Sequence, residues 1–163
     1  MTFGVVRFVR YGVVVGVVLT CAGLAAAAQV SAAISPNACT LLTNAHPEQT
    51  LHKGGSAITH RALHKYGSGQ GASQTCSETI GTQPVYLSLS LGAGGFGGVK
   101  VTSTTHPSGL GSGASLIVGT SPSGGAVDFI EFHKGTNFAD LSANGASPSG
   151  LTTVARKVYK LLP

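Results

Sequence analysis

The chain has 163 residues, enough for one domain with one core, and its aromatic content of 6% without any Trp leaves Val, Leu, Ile and Ala to build that core. Ten basic residues against five acids give a net charge of +5. The basic residues are scattered, and no basic stripe interleaved with aromatics is present, which excludes the usual footprint of a nucleic-acid binder.

In chain order, the first feature is Gly12 to Ala28 (GVVVGVVLTCAGLAAAA), an uncharged run preceded by Arg7 and Arg10. A basic start, an apolar middle and small residues at the end form an export signal. Residues 1–32 are therefore expected to be a signal peptide and 33–163 a single secreted domain. Ala26-Ala27-Ala28 and Val30-Ser31-Ala32 both offer the small residues a signal peptidase reads, and cleavage there releases a soluble protein. Two alternatives leave the protein on the membrane: lipidation at Cys21, or retention of the uncleaved signal. Without Arg7 and Arg10, eight basic residues face five acids, a net of +3 that mildly suits an anionic envelope surface.

Beyond the signal, Thr43 is expected to cap a helix from Asn44, with Pro47 near its first turn and Gly54-Gly55 at its end. Ala57 to Lys65 reads as a second, weaker helix with Ile58, Ala62 and Leu63 on one side. Gly67 to Ser73 reads as a loop. The strand signals begin after Cys76. Val85, Leu87, Leu89 and Leu91 alternate with Tyr86, Ser88 and Ser90, the period of a half-buried strand. Gly92 to Gly98 turns the chain into Val99 to Thr105 as the partner strand. Ala114 to Thr120, Ala126 to His133 and Thr136 to Ser142 follow as further strands, joined by Gly/Ser turns in the manner of an antiparallel meander. Ser147 and Pro148 open a C-terminal helix, on which Leu151, Val154, Ala155, Val158, Leu161 and Leu162 form one stripe. The expected fold class is α+β: an antiparallel sheet of four to five strands, covered by an N-terminal helical segment and a C-terminal helix.

Cys39 and Cys76 remain after cleavage, and in an oxidising compartment an even pair reads as a disulfide. Cys39-Thr40-Leu41-Leu42-Thr43, the second Cys76, Gly109-Leu110-Gly111 before a strand, and a basic C-terminal helix occur here in that order. In this the chain resembles actinobacterial families of small secreted proteins and lipoproteins of unknown function with a Cys-x-Leu-Leu-Thr opening, over most of residues 36–162. It departs from them in having no aromatic after Cys76 and no acid after Gly111. The resemblance implies an envelope role and the option of a lipid anchor; it implies no catalytic residues.

Three sets of residues suggest chemistry. His46, His52, His60 and His64 cluster in sequence, and His60 and His64 share a face if Ala57 to Lys65 is helical, so the four are candidate zinc or copper ligands. Gly92-x-Gly94-x-x-Gly97 matches a dinucleotide fingerprint but precedes a strand-like segment and a Pro rather than a helix, so it reads as a turn. A Ser with His106 or His133 and Asp128 makes a triad only on paper, and Asp128 and Glu131, three apart on one strand, face opposite sides. No cofactor is expected. The expected function is a non-catalytic envelope or secreted binding module, its partner an envelope protein, a lipid or a glycan. A metal-binding envelope protein using the histidines of residues 46–64, or a cryptic hydrolase, is the alternative.

Overall fold

The computed structural model describes residues 36–51, 57–67, 71–92 and 98–163. The expected signal and its expected cleavage sites, Cys21, His52, Gly54-Gly55 and most of the expected Gly92–Gly98 turn lie outside these residues. The elements are α1 (Ala38–Ala45), α2 (Pro47–Leu51), β1 (Ile58–Tyr66), β2 (Ser73–Ile80), β3 (Gln83–Leu91), β4 (Lys100–Thr105), β5 (Ser115–Thr120), β6 (Ala126–Lys134), β7 (Asn137–Ala143) and α3 (Pro148–Leu161). The fold is α+β, a single antiparallel sheet with helices from both ends of the chain packed against it. The sheet has seven strands in the order β1-β2-β3-β7-β6-β5-β4, not the four to five expected.

The two extra strands are β1 and β2, and each hides its character for a physical reason. Ala57 to Lys65 was expected to be helical because Ile58, Ala62 and Leu63 suit one side of a helix, but β1 covers nearly all of this segment. This is an edge strand, exposed along much of its length, so no period-two burial is imposed on its sequence. β2 does alternate in burial, but its inward positions include Gln74 and Glu78 as well as Cys76 and Ile80, so composition masks the pattern. β3 also does not pair with β4. It leaves the sheet beside the β6–β7 turn, and β4 enters at the far edge beside the β5–β6 turn; β3 pairs with β2 and β7 instead.

The N-terminal helix begins earlier than expected. Asn37, not Thr43, caps it, its side-chain oxygen accepting from the backbone N–H of Cys39 at 2.8 Å and of Thr40 at 3.3 Å. This puts Cys39, Leu41 and Leu42 in the helix and lets Leu41, Leu42 and Ala45 face the core. His46 ends α1 in the left-handed region, with φ 50°, and Pro47 starts α2. At the other end Ser147 caps α3 by accepting from the N–H of Gly150 at 3.1 Å, with Pro148 in the first turn as expected. Leu151, Val154, Ala155 and Val158 are buried, and Arg156 and Lys160 point outward.

The register sorts every strand residue onto one of two faces. Leu63, Cys76, Leu87, Leu141, Ile130 and Leu116 lie across from one another on the face the helices cover. That layer, closed by Leu41, Leu42, Leu110, Leu151, Val154 and Val158, is the core. Cys39 on α1 and Cys76 on β2 form a disulfide with Cα atoms 4.9 Å apart, as the cysteine pair implied. Beside it Glu78 is fully buried. Its Oε1 accepts from Arg61 Nε at 2.7 Å and from Thr43 Oγ1 at 3.3 Å, while Oε2 is buried with no partner. A buried carboxylate stripped of its cationic donor keeps its desolvation cost, so Arg61→Met is expected to lower stability by about 2 kcal/mol. Urea denaturation at pH 7 checks this, with Lys65→Met as the control; equal midpoints for the two variants would refute it.

Candidate functional site: a carboxylate pair on the helix-free face

No described helix packs on the other face of the sheet, and its residues are mostly polar. One row across it runs His64, Thr75, Ser88, Asp140, Glu131 and Ser115. A neighbouring row runs Tyr66, Ser73, Ser90, Phe138 and His133. On the other side of the first lie Ala62, Ser77, Tyr86, Ser142 and Phe129. The face is not evenly accessible. His60, His64, Tyr66 and Tyr86 are exposed on its β1–β3 half, whereas Phe129, Asp140 and Ser142 are buried at its centre. Thr75 and Ser88 share a hydrogen bond at 2.9 Å, which ties β2 to β3 across this surface.

The chemically unusual point is the middle of the first row. Asp140 and Glu131 sit directly opposite one another on β7 and β6, a position that brings Cβ atoms to about 5 Å. Like charges so placed repel, and burial removes the water that would screen them. Asp140 is only 8% exposed. Burial first, and the Glu131 carboxylate second, push its carboxyl from 3.8 up to about 7. The other paired acids have basic partners: Glu78 has Arg61, and Glu48 Oε1 lies 3.2 Å from His46 Nδ1. Among the described residues neither Asp140 nor Glu131 has a basic partner within ion-pair distance.

A cavity of about 100 Å³ opens at this point, lined by Gly113, Glu131, Phe132, His133, Phe138 and Asp140. Its flat wall is the His133 ring stacked on Phe138, with centroids 5.3 Å apart. Gly113 permits that stack: a Cβ there would lie 2.6 Å from His133 Nε2, so any side chain would push the imidazole aside. Ser88 and Ser115 flank the two acids in the same row and offer hydroxyls.

The residues singled out from sequence fall elsewhere. His60 and His64 lie on strand β1, not on a helix, so a spacing of four puts them about 13 Å apart, too far to share an ion. His46 lies at the end of α1 against Glu48, and His52 is outside the described residues. Among the described residues no three His, Cys, Asp or Glu side chains gather closely enough to hold a metal. Asp128 and Glu131 do take opposite faces of β6, since Asp128 pairs with Val118 and Glu131 with Ser115. His133 thus shares a face with Glu131 and not with Asp128, and the paper triad does not assemble around it. His106 Nδ1 lies 3.0 Å from the Ala114 carbonyl and 3.5 Å from Ser115 Oγ. Donating to the carbonyl leaves that nitrogen no lone pair to act as a base toward Ser115.

The Asp140–Glu131 pair was missed, although a signal for it existed. The two-residue turn Gly135-Thr136, with Gly135 at φ 60°, joins Lys134 to Asn137, and counting outward from a tight hairpin places 131 opposite 140. No known protein family, curated protein or solved structure is detectably similar to this chain.

Proposed function

We propose that this protein acts outside the cytoplasm, in the cell envelope or the medium, as a non-catalytic binding module whose helix-free sheet face receives a hydrophilic ligand. The observation that carries the reading is the asymmetry of the sheet. All described helices pack on one side, and the other side bears exposed His60, His64, Tyr66 and Tyr86 among Thr and Ser hydroxyls. Hydroxyls and imidazoles exchange hydrogen bonds with a ligand, and Tyr rings give it a flat surface to stack on. Of an envelope protein, a lipid or a glycan, such a surface suits a glycan or a polar protein segment, because acyl chains require a contiguous apolar patch.

The disulfide supports an oxidising compartment. Residues 1–32 are the element of the reading that directs export, and lipidation at Cys21 is the variant that would tether the module to the membrane. The histidine-based metal site draws no support from the geometry of β1. The hydrolase reading draws some from a carboxyl held near pH 7 beside a second acid, the arrangement acid–base catalysis uses. It lacks a paired nucleophile and base among the described residues.

The test is photocrosslinking in the host. A photoreactive amino acid placed singly at His64, Tyr66 or Tyr86 is expected to give adducts in the envelope or medium fraction. The same probe at Ser149, Thr153 or Lys160 on α3 is expected to give none. Adducts from α3 alone, or a protein retained in the cytoplasm, would overturn the reading.

A further inference from the structure

The cavity beside Asp140 combines features that a merely structural acid pair does not need. Asp140 is buried and lines the cavity, and among the described residues its carboxyl has no hydrogen-bond partner and no lysine or arginine lines that space. Lys134, the nearest cation along β6, is engaged elsewhere: its Nζ donates to the Leu162 carbonyl and lies 5.6 Å from the centroid of the Tyr159 ring. The site therefore holds negative charge, acceptor oxygens from Glu131 and Asp140, flanking Ser88 and Ser115, and an aromatic wall. It lacks a cation.

We propose that this cavity receives a primary alkylammonium group, its three N–H donors directed at Asp140, Glu131 and the flanking hydroxyls and its methylenes lying against the His133–Phe138 stack. The proposal rests on the reading of the helix-free face as the ligand-binding surface and names the chemistry that one end of it selects. Size supports it. A cavity of about 100 Å³ exceeds what a single water needs and admits a small ammonium head. Ligand number favours an organic cation over a divalent metal, because fewer than three metal-binding side chains converge among the described residues and a hard cation takes six or more oxygens.

A proton competes with the ligand. At pH 6 the carboxyl of Asp140 is mostly protonated; at pH 8 it is mostly ionised, and the incoming ammonium displaces about one proton or none accordingly. The groups facing it are Glu131 and His133 on β6, with Ser88 and Tyr86 on β3 and Ser115 on β5; His106 touches Ser115, and His64 lies further along the row. Of these, Glu131 raises the Asp140 carboxyl, and with that carboxyl at about 7 its ionised fraction, and so the affinity, is expected to rise about tenfold from pH 6 to pH 8.

The experiment uses the protein as recovered from its host, titrated with putrescine at constant ionic strength and followed by calorimetry and by ¹⁵N chemical shifts. Saturable binding is expected, with shifts centred on 113–115, 131–133 and 138–140. Glu131→Gln is expected to weaken it at least tenfold, and Asp140→Asn to remove its pH dependence. Nα-acetyl-lysine amide in a parallel titration distinguishes a lysine side chain from a free amine as the source, by which of the two binds more tightly. Scattered or unsaturable shifts, equal binding in both variants, or tighter binding of calcium chloride at the same residues would overturn the proposal. If putrescine fails while crosslinks still form from His64, Tyr66 and Tyr86, the amine chemistry is wrong and the binding face stands; if both fail, the face falls as well.

Discussion

Asp140→Asn is expected to make the protein more stable above pH 7 by up to about 4 kcal/mol, and to leave it unchanged near pH 3. The carboxyl titrates at 3.8 when exposed and at about 7 in the folded protein. Between those values the folded state holds a proton that the unfolded state has released, so wild-type stability falls as pH rises from about 4 to 7. Above 7 the penalty is complete. A difference of about three pH units corresponds to about 4 kcal/mol, and a side chain only 8% exposed receives little relief from solvent. An amide has nearly the same shape as a protonated carboxyl and never ionises, so the variant avoids the penalty. Urea denaturation at pH 4, 5.5, 7 and 8.5 measures it: the two proteins are expected to diverge with pH. Parallel curves, or an Asn variant weaker at pH 8.5, would show that the carboxyl is not held against ionisation. Glu131→Gln removes the smaller contribution, lets the Asp140 carboxyl fall back toward its ordinary value, and is expected to end the wild-type decline at a lower pH with a smaller total loss.

Opening the disulfide is expected to cost a similar amount. Cys39 and Cys76 are 37 positions apart in sequence, and in the chain-entropy account a closed loop of that length limits the unfolded chain by roughly 4 kcal/mol. The bridge also holds α1 on the sheet beside Glu78, so its loss loosens the helix that covers that carboxylate. A Cys39→Ala/Cys76→Ala double variant should unfold at a lower urea concentration than the oxidised protein. Adding a thiol reductant should lower the midpoint of the wild type but not of the variant. A midpoint unmoved in both comparisons would mean that the core carries the fold without the link.

How much of this was legible in the sequence depended on where each element gets its order. β3 and α3 advertise themselves, because each buries one face against the same layer and its apolar residues keep the matching period. β5, β6 and β7 were found from Val, Ile and Phe between Gly/Ser turns, with boundaries off by only a residue or so. β1 was read as a helix because an edge strand with little to bury imposes no alternation, and β2 was not seen as a strand because Gln74 and Glu78 occupy inward positions that composition assigns to the surface. The pairing of β3 with β7 rather than β4 is a tertiary choice that no local pattern records. The carboxylate pair belongs to the same class: Glu131 and Asp140 are nine positions apart and become neighbours only when the hairpin fixes its register.

The seam between β3 and β7 also dictates an order of assembly. β1 to β3 is one local meander and β4 to β7 another, so each can be drawn together by short turns. The join must wait: Val85 meets Ala143, almost the last strand residue made. A chain that emerges N-terminus first therefore carries β3 with a raw, hydrogen-bond-hungry border until its final third arrives, and this interval is when it is most vulnerable to pairing with a stranger.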